Sequence, residues 1–508
     1  MLRQRPSRPA LLLASFALLL LLGAGLALPA GAASADSAAS KPRPASVTRL
    51  RTVAPGTQSD SARESARKSY RAWLKRLHAR MLADSLARAD SVARADSLVQ
   101  ADSLARAALP PAPQDYVAQV RARFTGENRA YAVTRSALGF IEPLFGILLG
   151  FFILFSGLSA WMRDLASSLS SRPYVQVLVY LLLYLVAGSL LGFPLVFYQD
   201  FALEHHYRLS TQGFGPWLLD QLKNLLVAIV ALGVVPLVKL AFDAIRRFPR
   251  FWWLALGLCT LPVILAGAFL QPLVVDPLFN RFTPLMDKRL EARILGLTGR
   301  AGVPARHVFQ MDASRQTRKY GAYVSGFGGS LRVVLWDTTL QGMKDDEILF
   351  VVGHESAHYR LNHMGWQLLF TAGLSFLLLG LCAVSMTRAL ARWGPRWGVT
   401  ELHDIAALPL LVVALTLFSF LAQPGTNAFS RRLEHDSDTF GLELTHANDA
   451  AARAFMKLGA QNRSNPEPSP FVESFEYDHP PLLERVRFAL AYRPWEAGRP
   501  NRLYRPAR

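Results

Sequence analysis

Residues 354–358 read His-Glu-Ser-Ala-His, inside the run VVGHESAHYRLNH. Residues four apart on an α-helix share a face, so His354 and His358 can both reach one metal ion. Glu355 stands between them, where a carboxylate can hold and deprotonate a water that the metal polarises. A hydrolytic zinc site wants three protein ligands and one open position. The third ligand must therefore come from elsewhere in the chain. The stretch SRRLEHDSD, residues 430–438, offers Glu434, His435, Asp436 and Asp438. On a helix Glu434 and Asp438 share a face, so one can bind metal while the other supports a ligand from behind. Viewed alone, this run fits a charged, solvated helix end about as well. The two cysteines, Cys259 and Cys382, each lie inside an apolar run, have no metal-pair spacing and read as small core residues.

The elements that must position these groups follow from hydropathy. Ile348, Val351 and Val352 lead into the motif and predict an amphipathic helix for it. The chain has 508 residues, 51% of them hydrophobic and only 18% charged, which is too apolar for one soluble domain. Apolar runs near the ~20 residues needed to span a bilayer lie at about 138–160, 174–198, 222–242, 252–275, 366–386 and 405–424. The expected fold is mainly α, a polytopic helical membrane protein carrying a split zincin-like α+β protease domain. Residues 1–35 have the basic, apolar, small-residue layout of a signal peptide or N-terminal anchor. Residues 36–135 form a low-complexity Ala/Asp/Ser/Arg linker, helical or disordered, in which Ala-Asp-Ser recurs from 83, 89, 95 and 101. Four spans are expected in 136–276 and two in 365–424. Two polar segments, 277–364 with the HESAH helix and 425–508 with Glu434, would make up the protease. The net charge of +19 comes from arginines scattered in short loops and termini, with no aromatic-interleaved basic patch. The lipid bilayer, and no nucleic acid, is the partner this implies; the oligomeric state is not encoded in the pattern.

Several further motifs occur in order: FPLVFYQDFALEHHYRLSTQGFGPWLLDQLK, VDPLFNRFTPL, SGFGGSLRVVLWDTTL, EILFVVGHESAHYRLNH, SRRLEHDSDTFGLEL and NPEPSPFVESFEYDHPPLLERV. Over about residues 190–490 the chain resembles the type I CAAX prenyl protease family, integral-membrane zinc metalloproteases of the gluzincin kind. The resemblance implies one zinc ion, with Glu434 as third ligand beside His354 and His358, and Asp438 as the carboxylate behind them. It implies Glu355 as general base and acid, and His479 and Arg485 as polar groups lining the site. Both of these can donate hydrogen bonds to an oxyanion. It also implies an edge strand at Gly321, Ala322 and Tyr323 on which a polypeptide substrate lies as an added antiparallel strand. The chain departs from the family at Gly321, where an asparagine is usual, and in Ser356-Ala357, where Leu-Gly is common. Neither departure touches a ligand.

Arginines on the loops opposite the zinc segment (Arg163, Arg172, Arg246, Arg247, Arg250, Arg388, Arg392 and Arg396) outnumber the single Arg208 on the zinc-side loop. Short arginine-rich loops stay inside. The expectation is a bacterial inner-membrane protein with its zinc domain on the periplasmic side, acting on membrane or exported proteins in quality control. Two other readings are a site-2-type intramembrane protease and an inactive scaffold of the same fold. Lys344, Asp345, Asp346 and Glu347 ahead of the motif argue against the first, and the intact His354, Glu355, His358 and Glu434 against the second.

Overall fold

The computed structural model describes residues 115–230, 234–326 and 331–506, with Ala72 apart from them. The signal-like N-terminus and the Ala-Asp-Ser repeat lie outside the described residues. Among the described residues, five helices are long and apolar enough to cross a membrane: Gly126–Phe155, Pro173–His206, Trp252–Phe279, His363–Trp397 and Ile405–Thr445. Large apolar side chains, Leu148, Leu190, Leu258, Leu369 and Leu421 among them, stand exposed on these helices. Water penalises such a surface and lipid does not. This is an integral membrane protein. The sixth expected run, 222–242, falls on the helices Phe214–Val230 and Val234–Arg247, with residues 231–233 outside the described ones.

The spans pack around their own apolar core, which includes Tyr180, Ile245, Trp252, Cys382 and Trp397. Cys382 is fully buried there, as expected of a small core residue. A second core serves the polar half. Its sheet has four strands: β1 (Phe282–Pro284), β2 (His307–Met311), β3 (Ala322–Ser325) and β4 (Arg332–Trp336). Their order is β1-β2-β4-β3. β2 and β4 are parallel, while β1 and β3 run antiparallel to their neighbours. β3 is therefore an edge strand. The polar stretch DKRLEARILGL forms the helix Lys288–Arg300, capped by Asp287, whose carboxylate accepts from the N–H groups of Arg289 and Leu290.

The motif helix runs Asp345–Arg360 and differs from the amphipathic expectation. Every residue from Asp346 to Ala357 except Glu355 is buried. It lies between the sheet and the helices Leu408–Thr445 and Asn448–Gln461, so no side of it is left for water. Asn362, in the left-handed region at φ 53°, ends it and turns the chain into the next span. Two other expectations shift. The linker does not reach residue 135, because Tyr116 and Val120 on the helix Tyr116–Arg123 are buried in the protease core. The boundary at 425 falls inside one continuous helix, Leu408–Thr445, which is span and ligand carrier at once. Gly441 on that helix lies against the motif helix. A Cβ there would meet the backbone nitrogen of His354 at 3.1 Å and the Phe350 ring at 3.3 Å.

The start of the motif helix is held by Glu347, which is fully buried. Its carboxylate accepts from the Lys344 N–H at 2.7 Å, from Arg453 Nε at 3.0 Å and from Lys457 Nζ at 2.7 Å. Glu347→Ala therefore uncaps the helix and takes one carboxylate from each of Arg453 and Lys457. It should cost about 3 kcal/mol, whereas Glu347→Gln, which keeps an acceptor, costs less. Thermal unfolding in detergent reads the difference; equal melting temperatures for both variants and the parent contradict this role.

Candidate metal centre

The centre is assembled from residues far apart in the chain. The motif helix presents His354 and His358. The helix Leu408–Thr445 presents Glu434 and Asp438, drawn in by the close approach at Gly441. The segment after the short helix Pro470–Glu476 brings His479, and the helix Leu482–Ala491 brings Arg485.

One ligand atom from each of His354, His358 and Glu434 lies within 4.8 Å of the others. His354 Nε2 is 3.1 Å from Glu434 Oε2, and His358 Nε2 is 3.5 Å from Glu434 Oε1. His354 Nε2 and Glu434 Oε2 are both buried, and although they face each other neither makes a hydrogen bond of good geometry. Burying two such atoms unpaired is costly. A cation between them removes the cost, and two imidazoles with one carboxylate is a donor set that zinc takes up readily. The residues therefore fit a zinc ion.

Behind the ligands the hydrogen bonds run in a chain. His354 Nδ1 donates to Asp438 Oδ1 at 2.8 Å, which aims Nε2 at Glu434. Arg485 in turn grips Asp438 with both Nε (2.8 Å) and Nη2 (2.6 Å). Its guanidinium also lies 4.2 Å over the Phe455 ring. Burial alone would push the His354 imidazole down, but the hydrogen bond to Asp438 and the nearby Glu434 carboxylate hold it above its ordinary value. Burial likewise works against the Arg485 charge, and the Asp438 carboxylate more than offsets it.

Glu355 is half-buried beside these groups. His479 is buried, with Nε2 3.1 Å from Glu434 Oε2 and Nδ1 2.8 Å from Asp478 Oδ1. The structure thus brings together all seven expected polar residues. It does change the expectation for Arg485: two of its donor groups are committed to Asp438, so it stands behind the ligands and not free in the cleft. His435 and Asp436, the other candidates for third ligand, are not in the cluster. His435 packs against Phe488, and Asp436 pairs with Arg502.

Two participants escaped the sequence reading. His363 is buried with Nδ1 3.2 Å from His358 Nδ1, and Asp478 orients His479. Both were visible as neighbours of the motifs, in LNH and DHPP, but nothing in their spacing marked them.

Beside the ligands, the motif helix packs on edge strand β3. Gly321 precedes the strand. Its N–H donates to Thr339 Oγ1 at 2.8 Å and its carbonyl accepts from the Trp336 N–H at 3.1 Å. A Cβ on Gly321 would lie 2.7 Å from the Trp336 indole. The tryptophan occupies the space that a side chain at 321 would need, which accounts for the glycine there. Tyr323 is buried, its hydroxyl bonded to Asp276 at the end of the span Trp252–Phe279.

Metal binding to His354 must displace a proton held above the usual histidine value. The affinity should therefore fall about tenfold per pH unit once the pH drops below that raised value. Asp438→Asn should weaken binding about ten- to a hundredfold at pH 7, read by competition with a zinc chelator. An affinity that ignores both pH and Asp438→Asn contradicts the arrangement.

The chain's likeness to known proteins agrees with this geometry. The family model described as "Peptidase family M48" matches residues 284–493, and "CAAX prenyl protease N-terminal, five membrane helices" matches residues 100–281. The "Uncharacterized metalloprotease YhfN" of Bacillus subtilis is 33% identical over 365 residues, covering 71% of this chain and 84% of that one. The "CAAX prenyl protease 1 homolog" of Arabidopsis thaliana is 27% identical, covering 75% and 90%. Among solved structures, S. mikatae Ste24p has the same fold, with a TM-score of 0.65 at 24% identity over 80% of this chain and 98% of that one. With the matched protease segment holding the His-His-Glu cluster and two spans, and the matched N-terminal helices holding the other three, the chain belongs to peptidase family M48 and is a membrane zinc metalloendopeptidase.

Proposed function

We propose that His354, His358 and Glu434 hold one zinc ion and that Glu355 serves as general base and then general acid in peptide-bond hydrolysis. The observation that carries this reading is the convergence of ligand atoms from His354, His358 and Glu434 within 4.8 Å, with the buried atoms His354 Nε2 and Glu434 Oε2 face to face and no well-formed hydrogen bond between them. Zinc bound there supplies Lewis acidity. Glu355 takes the proton of the attacking water and passes it to the leaving amine. His479 turns Nε2 toward the ligands while Asp478 holds Nδ1, so it can donate to the oxygen that gains charge. Asp438 fixes the ring of His354, and Arg485 fixes Asp438. Glu355→Ala should leave zinc content unchanged and lower cleavage of an unstructured peptide by several orders of magnitude. Equal cleavage by the parent and Glu355→Ala proteins rules the assignment out, whereas no cleavage by either protein leaves a scaffold that merely retains the fold.

The substrate, in this proposal, is an extended segment of a membrane or exported polypeptide, added antiparallel to β3 at Gly321, Ala322 and Tyr323. Main-chain pairing of that kind accepts varied sequences, which suits quality control better than a single prenylated tail. The relatives named for CAAX processing keep a prenylated C-terminus in view as the alternative. Polypeptides retained by Glu355→Ala and identified by mass spectrometry distinguish the two.

The zinc domain is proposed to face the periplasm of a bacterial cell. Arg163 bonds the Gly398 carbonyl at 2.9 Å and pairs with Asp404, so these loops share one end of the bundle. Ser210 bridges to Thr317 at the protease end. The first end carries the arginine-rich loops and belongs inside by the positive-inside rule. Reporter fusions after residues 130 and 250 should report external and cytoplasmic, respectively; the reverse pattern inverts the orientation.

A further inference from the structure

The helix Leu408–Thr445 presents a stripe of polar side chains toward the C-terminal segment: Asn427, Arg431, Glu434 and Asp438, spaced four, three and four residues apart, which keeps them on one face. Two belong to the metal centre. The other two meet backbone. Asn427, itself buried, donates from Nδ2 to the Ser474 carbonyl at 3.0 Å. Arg431 donates from Nη1 to two carbonyls at once, Glu473 at 3.0 Å and Tyr477 at 2.6 Å. Its Nε also lies 3.5 Å from the Glu473 carboxylate. These carbonyls are the C-terminal end of the helix Pro470–Glu476, where a cation is favoured; the Glu473 carbonyl also takes the Tyr477 N–H at 3.1 Å, so Arg431 shares it.

Two residues after Tyr477 the chain reaches His479. The segment between has no helix or strand of its own. The ring's placement therefore depends on where the Tyr477 carbonyl is pinned. Glu434, which meets His479 Nε2, sits one turn along the same helix from Arg431. One rigid element thus sets both the ligand carboxylate and the donor beside it.

We propose that Arg431 is a positioning residue for His479. It touches neither metal nor substrate, and acts by clamping the end of the helix Pro470–Glu476 to the ligand-bearing helix. This rests on the reading of His479 as the donor to the oxyanion. A donor useful chiefly in the transition state affects kcat and leaves KM nearly alone. The clamp inherits that signature, and zinc content per chain separates it from a general loss of folding, which lowers kcat and bound zinc together.

The test is a double-mutant cycle on the full-length protein in detergent, with a fluorogenic peptide and zinc content measured for each variant. His479→Ala should lower kcat by about 10²–10³-fold. Arg431→Ala should lower it by about 10–10²-fold, the cost of an ångström-scale misplacement, with KM and zinc unchanged. The double variant should be no slower than His479→Ala alone. Arg431→Lys, which keeps one cationic donor, should recover part of the loss and serves where Arg431→Ala folds poorly. Multiplicative losses in the double variant, zinc lost in step with kcat, or full activity in Arg431→Ala and Arg431→Lys overturn the clamp while leaving the role of His479 intact. Unchanged kcat in His479→Ala instead overturns the oxyanion reading, and the clamp with it.

Discussion

The metal centre depends on how closely two helices approach. At Gly441 the helix Leu408–Thr445 lies against the backbone of His354, with no room for a side chain between them. That contact brings Asp438 to 2.8 Å from His354 Nδ1 and Glu434 to 3.1 Å from His354 Nε2. A carboxylate side chain spans only a few ångströms, so a wider crossing would leave both acids short of the ring. The apolar core around Phe350, Phe440 and Phe455 holds the crossing shut, and Arg485 closes the far side by neutralising Asp438. A buried carboxylate is tolerable where a cation neutralises it and an imidazole N–H adds a further hydrogen bond.

Much of this was legible in the sequence because the chemistry is local. Two histidines and a glutamate on one helical turn need no tertiary information, and neither does the shared face of Glu434 and Asp438. The edge strand at Gly321, Ala322 and Tyr323, by contrast, was reached through the family resemblance. What pairs with what across 84 residues, as His354 does with Asp438, is not a periodic property. It became visible only through family resemblance or the fold itself.

The misses share that cause. Apolar spacing marked one face of the motif helix, but burial on every side comes from neighbours drawn from the sheet and from two later helices. The tail of the linker looked solvated because Tyr116 and Val120 are sparse apolar residues in a charged stretch; their partners lie more than 150 residues away in the protease core. Arg485 read as a free donor because its sequence neighbours do not reveal the carboxylate it faces. Asp478 and Arg431 act through a ring nitrogen and through main-chain carbonyls, and backbone acceptors leave no trace in residue identity.

The helix Leu408–Thr445 runs unbroken from the apolar zone to the third ligand. Leu421, exposed on the spanning part, and Glu434 are separated by about 20 Å of helix rise. The helix acts as a ruler fixed at one end in lipid. It fixes the distance between the lipid-facing part of the span and the third ligand, a length that a membrane-anchored substrate would have to bridge. A membrane-anchored polypeptide would be cut where its tether lets an extended segment span that length, whatever residues happen to lie there.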